Sequence, residues 1–329
     1  MSISHYLQQF QPHIHHLFSH ALTQKKWSHA YLLSGQKGTP LKEIAIYLAK
    51  SLVCEHGQPL ADETCQTCRR IDAGDFVDLH LIDGQEASIK KQDILNLEQS
   101  FSVTSLEIFQ RQIYILHLVE TMTPEAVNAL LKFLEEPQQD IYAILTTESV
   151  HSLLPTILSR SQVVTLKPIE QSLLVDLYQQ VGLSEDDAQL ASFFYTTPEL
   201  AKAWVSTSSY VALKKATMEW LSLMGQKLSV MKLFFRQNII PLIQDNILAE
   251  QWFSWMIVFL QQSLRLQFHQ KVVLKNFRSA LLLLNDTVID HDVLVTLTEE
   301  TIHRLRLPVN VPLLLDQWLI RFTKGMRLL

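Results

Sequence analysis

Apolar residues fall in short continuous runs in the first half of the chain and in helical stripes in the second. "AYLLSG" (30–35) is an apolar run ending in glycine, which reads as a strand buried on both faces followed by a turn. "DLHLID" (78–83), "RQIYILHLV" (111–119) and "IYAILTT" (141–147) are further strand candidates. Between them the period changes to 3.6, and Ile44, Leu48 and Leu52 share one helix face. The clearest helix is predicted over 124–136, with Thr123 as N-cap and Pro124 at the first helical position. Val127, Leu130, Leu131 and Leu134 form its apolar stripe, and Pro137 stops it. This alternation predicts an α/β domain with a parallel sheet and helices on both faces. After about residue 166 the strand signals fade. Three short helices follow, broken at Gly182 and Thr196–Pro198, and from 208 the chain reads as helical throughout, with stripes such as Leu315, Trp318, Leu319 and Phe322. The expected layout is an α/β domain over 1–165, a small three-helix domain over 166–207 and an all-α domain over 208–329.

Composition narrows the functional classes. Hydrophobic residues are 47% and charged residues 19% of the 329, an ordinary balance for a water-soluble globular chain. Net charge is −5, with the acidic excess in residues 1–165, so no whole-protein basic face is available for nucleic acid. The N-terminal stretch lacks the basic and apolar regions of a signal peptide. Apolar windows such as Trp255–Leu260 and Ala280–Leu284 fall far short of the ~20 residues that cross a bilayer. A cytoplasmic location is expected.

"SGQKGTPLK" (34–42) begins like a phosphate-binding loop and then departs from it. Such a loop needs G-x-x-x-x-G-K-[ST]: glycines to turn backbone N–H groups toward phosphates, a lysine to bridge them and a hydroxyl to hold Mg²⁺. With Gly35 as the first glycine, Pro40 stands at the second, Leu41 at the lysine and Lys42 at the hydroxyl, while Gly38 lies between. Proline removes an N–H donor and leucine removes the charge. Lys42, about 100° further around the helix, does not simply substitute. A strand serving the same chemistry ends in Asp-Glu. Here the run 111–119 has His117 and Leu118 at its end, and Glu120 reads as a solvent or turn residue.

"TMTPEAVNALLKFLEEP" (121–137) resembles the signature of bacterial DNA polymerase III clamp-loader subunits, members of the AAA+ class. That family places its Asp-Glu pair eleven and ten residues before Asn-Ala-Leu-Leu-Lys, the positions of His117 and Leu118 here. "TTESVHSLLPTILSRSQ" (146–162) is similar to the family's sensor strand, helix and Ser-Arg-Cys motif, and "HAYLLSG" (29–35) to the strand entering its loop. The resemblance implies an AAA+-like domain, a lid domain and a C-terminal collar. With both nucleotide motifs broken, it points to the family's non-hydrolysing, delta-prime type. That type implies no ATP hydrolysis by the chain itself. It implies instead a scaffold role beside clamp-loader motor subunits and a delta subunit, reaching the sliding clamp and primed DNA through the complex. The position of the family's arginine finger is Arg160, supported by Ser159; Ser161 replaces the family's cysteine. The sensor-2 arginine expected within "TTPELAKAW" (196–204) is missing, with Pro198, Glu199 and Leu200 in its region. A motor subunit with a displaced lysine, Lys42, and a structural subunit whose Arg160 is inert are the rival readings.

Cys54, Cys65 and Cys68 have C-x10-C-x2-C spacing, and the C-x2-C half is a common zinc hook. Three free thiols in a reducing compartment are the alternative. No neighbouring Glu or His reads as the base of a catalytic zinc. Related clamp-loader subunits carry a fourth cysteine three residues after the last, where this chain has Ile71. His56, Asp72 and His80 are the candidate substitutes. In the helical half, Arg265, Lys271, Lys275 and Arg278 with Phe268 and Phe277 read as a solvated helix face, with a DNA contact as the alternative, and His13, His15 and His16 as surface residues, with adventitious metal binding as theirs.

Overall fold

The structure, a computed structural model, describes residues 2–101, 107–135, 140–305 and 307–326. It divides into two compact units, 1–169 and 170–329.

The first unit opens with two amphipathic helices, α1 (Ile3–Phe10) and α2 (Pro12–Thr23). It continues as β1 (Ala30–Ser34), α3 (Leu41–Val53), α4 (Gln66–Ala73), β2 (Leu79–Asp83), α5 (Lys91–Phe101), β3 (Gln112–His117), α6 (Pro124–Glu135), β4 (Ile141–Thr147), α7 (Pro155–Arg160) and β5 (Gln162–Thr165). The strands form one parallel sheet in the order β2-β3-β4-β1-β5. Strands β1 and β3 are buried along their whole length, as their unbroken apolar runs predict.

Alternation along the strands divides the core between two faces. Tyr31, Leu33, Ile113, Ile115 and Ile144 join the cluster built with Ile44, Leu48 and Leu52 of α3 and with α1, α2 and α4. Leu32, Tyr114, Leu116, Ala143 and Leu145 join Ala126, Leu130 and Leu134 of α6 on the opposite face. Val127 and Leu131 of the predicted stripe are only partly buried there. Thr123 Oγ1 accepts from the Ala126 N–H, as an N-cap should. Pro137, the expected stop of α6, lies outside the described residues. The fully buried Gln11 joins the chain's start to the exit of β5: its Nε2 donates to the Lys167 carbonyl (2.7 Å) and its Oε1 accepts from the Lys167 N–H (2.9 Å).

The second unit is helical: α8 (Gln171–Gln180), α9 (Glu185–Ala191), α10 (Pro198–Val205), α11 (Ser208–Ser222), α12 (Leu228–Phe234), α13 (Asn246–Gln267), α14 (Arg278–Thr287), α15 (His291–Arg304) and α16 (Val311–Lys324). The breaks fall at Gly182 and at Thr197–Pro198, as predicted, and Thr207, beside the expected second boundary, caps α11. Asp187 of α9 accepts from Tyr210 Oη (2.5 Å) and Lys214 Nζ (2.7 Å) of α11. Trp220, Trp252, Phe235, Trp318 and Phe322 form an aromatic core, in which Trp318 Nε1 donates to Thr298 Oγ1 (3.0 Å). Phe277 is buried in this unit whereas Phe268 is exposed, so the basic stretch 265–278 is not a uniform face. No described helix is long and apolar enough to cross a membrane.

Candidate functional site

The loop after β1 leaves the sheet at the carboxyl ends of the strands, where ligands bind in open parallel sheets. The Gly35 N–H donates to the Thr147 carbonyl (3.2 Å), and Gly38 takes a left-handed conformation (φ +85°). Pro40 sits at the N-cap of α3 without a side-chain cap. Leu41, at the position of the phosphate-bridging lysine, is 1% exposed and belongs to the core behind the sheet. Its burial turns the side chain at that position into the core.

Lys42 is bound elsewhere. Its Nζ donates to Asp83 Oδ2 at 2.5 Å, at the end of β2. Hydrogen bonding to Asp83 raises the lysine pKa, outweighing the opposing effect of burial. Burial works against ionisation of Asp83, but Lys42 and the Gln85 N–H outweigh it and hold the carboxyl below the ordinary range. Gly84 follows. A Cβ there would meet Thr121 Oγ1 and the His117 and Leu118 carbonyl oxygens, the last two at 2.6 and 2.8 Å.

At the end of β3, His117 is buried and its Nδ1 shares a hydrogen bond with Thr146 Oγ1 (2.7 Å), an atom that also accepts from the Leu118 N–H (3.0 Å). Burial lowers the His117 pKa. Leu118 adopts φ +57°, a left-handed geometry uncommon outside glycine. Glu120 lies in a short 3₁₀ turn as expected, but its side chain is not simply solvated: Oε1 accepts from the Glu148 N–H (2.8 Å).

Arg160 ends α7, one residue before β5. Its Nη2 donates to Glu135 Oε1 at 2.6 Å, and its Nη1 to the Thr156 carbonyl (3.1 Å) and Ser159 Oγ (3.4 Å). The arginine and Glu135 side chains are 31% and 49% exposed, so solvent weakens this pair. Ser161 Oγ donates to the Ile157 carbonyl (2.8 Å), tying down the end of α7.

The three cysteines converge. Cys65 Sγ caps α4 by accepting from the Cys68 N–H, and Cys54 Sγ, just past α3, lies 3.8 Å from Cys65 Sγ. Sequence reasoning overlooked a fourth member, Asp62. Its Oδ1 lies 3.3 Å from Cys54 Sγ and 3.7 Å from Cys68 Sγ, and one ligand atom from each of the four residues falls within 4.8 Å of the others. The D-x2-C-x2-C spacing was the available signal. Burial raises the Cys54 and Cys68 pKa values. At Cys65 burial acts the same way but is outweighed by N–H donors, so its pKa falls. Of the candidate substitutes, only His56 is adjacent, with Nδ1 3.4 Å from Asp62 Oδ2. Asp72 is engaged instead by the buried Lys50 (2.6 Å), and the His80 ring packs edge-on against Phe101. Ile71 is in the core.

The profile of a family described as "DNA polymerase III, delta subunit" matches residues 10–170. The DNA polymerase III subunit delta' of Bacillus subtilis is 30% identical over 261 residues, 79% of this chain and 79% of that one. The subunit tau of the same organism is 34% identical over 168 residues, half of this chain and 29% of its own length. Among solved structures, a DNA polymerase III gamma subunit-related protein of Thermotoga maritima aligns over 94% of this chain and 99% of its own, with 18% identity and a TM-score of 0.49. The sequence match to subunit delta' runs past the α/β unit into the helical one, and the chain belongs to the delta-prime family of DNA polymerase III clamp-loader subunits.

Proposed function

We propose that the chain works in a clamp loader as a non-hydrolysing scaffold that presents Arg160 to the ATP site of a neighbouring motor subunit. In this reading α8–α10 form the lid and α11–α16 the collar, and motor and delta subunits are the partners through which the chain meets the sliding clamp and primed DNA. The observation that carries the reading is the burial of Leu41 where a phosphate-bridging lysine would stand, with Lys42 committed to Asp83. His117 and Leu118 offer no carboxylate for a hydrated Mg²⁺ at the end of β3. Arg160 remains chemically competent. Its guanidinium is half-buried at a helix end and held by an ion pair that solvent already weakens, so a competing phosphoryl group can draw it away. Ser159 supports it by accepting from Nη1. Cys54, Cys65 and Cys68 serve, in this reading, as thiolate ligands of a structural zinc that staples α3 to α4.

The test is the DNA- and clamp-stimulated ATPase of the reconstituted loader. Replacing Arg160 with Ala lowers the rate by about 10³-fold or more if the arginine stabilises the transferring phosphoryl group, with assembly intact by gel filtration. An unchanged rate leaves a scaffold without a finger. The isolated chain is expected to bind no ATP at millimolar concentration, and nucleotide binding abolished by Lys42→Ala would instead make it a motor.

A further inference from the structure

We infer that Asp62 supplies the fourth ligand of a Cys3Asp zinc site, in place of a fourth cysteine. The inference rests on the reading of the cysteines as zinc ligands and goes beyond it in naming the ligand, the atom and the chain segment. A tetrahedral ion with Zn–S of about 2.3 Å and Zn–O of about 2.0 Å requires S···S separations near 3.8 Å and S···O separations near 3.5 Å. The structure holds Cys54 Sγ and Cys65 Sγ 3.8 Å apart. Asp62 Oδ1 stands 3.3 and 3.7 Å from the sulfurs of Cys54 and Cys68. These three separations match a zinc shell, and the four donor atoms all lie within 4.8 Å of one another.

The local chain explains why a carboxylate from this position serves. Asp62 Oδ1 accepts from the N–H groups of Thr64 (3.0 Å) and Cys65 (3.2 Å), a turn that swings the carboxylate back over the start of α4. Its other oxygen accepts from Thr64 Oγ1 (2.8 Å) and faces His56 Nδ1. Ligating carboxylates are held by outer partners of this kind. Glu55 fixes the far side of the turn, taking the Thr67 hydroxyl (2.6 Å). The residue three after Cys68 is Ile71, 7% exposed in the core, and has no donor atom to offer. A turn that would otherwise be closed by hydrogen bonds alone thus places an anion beside three thiols, two of them buried.

The full chain, purified reduced, stripped with chelator and reloaded with Co²⁺ or Zn²⁺, tests this. The expected result is one ion per chain, with a thiolate-to-cobalt absorption band. Asp62→Asn keeps the acceptor oxygen of the turn but not the charge. It should weaken zinc binding, in competition with a chromogenic chelator, by at least the 10–100-fold that loss of an outer partner costs. Asp62→Cys should retain the ion and strengthen the cobalt band as a further thiolate joins. His56→Ala should leave the spectrum of the bound cobalt unchanged. Wild-type affinity and spectrum in Asp62→Asn would overturn the assignment of Asp62 while leaving the cysteines as ligands, and loss of the ion in His56→Ala alone would move the ligand to His56. A wild-type chain that takes up neither metal would overturn the zinc reading itself.

Discussion

Lys42 and Asp83 form an ion pair that joins the first turn of α3 to the end of β2. The lysine is one residue past Leu41, and its partner sits at the end of β2, 9% exposed. Replacing Lys42 with Met is expected to cost about 1 kcal/mol of stability at neutral pH, below the 1.5–3 kcal/mol of a charged hydrogen bond because the lysine is a third exposed. The folded pKa of Asp83 is depressed, so its contribution is full above the ordinary aspartate value of about 3.9 and fades as pH falls through the lower folded value. The raised pKa of Lys42 keeps its contribution whole below the ordinary lysine range, to be lost only as pH climbs through the raised value. The stability gap between wild type and Lys42→Met, measured by urea unfolding, should therefore be flat near neutrality and shrink in acid. Gly84→Ala belongs to the same corner. A methyl forced against the His117 and Leu118 carbonyls should cost about 1–3 kcal/mol, read as a lower denaturation midpoint.

Elements were legible where one physical cause dominated. The strands β1, β3 and β4 and the stripe of α6 follow from burial on both faces or on one, which writes itself into composition and period. The strand β5 escaped because it is four residues long and lies at the sheet edge, where only Val164 is buried. At the candidate sites the sequence motif located Arg160 and the cysteines, yet not Glu135 or Asp62. Those partners are brought in by a helix packed 25 residues away and by a turn, neither of which leaves a periodic trace. In the helical unit the pairing of α9 with α11 depends on Asp187. Burial opposes its ionisation, and Lys214, Ser184 and Tyr210 outweigh that and hold the carboxyl low. Asp187→Asn should destabilise by about 1–3 kcal/mol near neutrality, and the difference should close as the pH falls below the ordinary aspartate range. Thr298→Val, which strips the buried Trp318 N–H of its acceptor, should cost about 1–3 kcal/mol in the same assay.

Across the whole chain the sheet's order sets what the candidate finger can do. β5 pairs with β1, Tyr31 opposite Gln162, and Ser161 alone separates that strand from Arg160. There is no slack in a one-residue tether. Arg160 therefore behaves as a tooth cut into the rim of a stiff plate, unlike a residue carried on a swinging loop. Its backbone is tied to the sheet through Ser161, and its guanidinium is held by Glu135. Amide exchange at Leu166, whose N–H donates to the Ser34 carbonyl of β1 (2.7 Å), should consequently stay slow in Arg160→Ala and in Glu135→Ala alike. If Arg160 serves as the proposed finger, its engagement would be timed by movement of the sheet as one piece, and glycines inserted after Arg160 should lower the clamp-stimulated ATPase rate of the reconstituted loader.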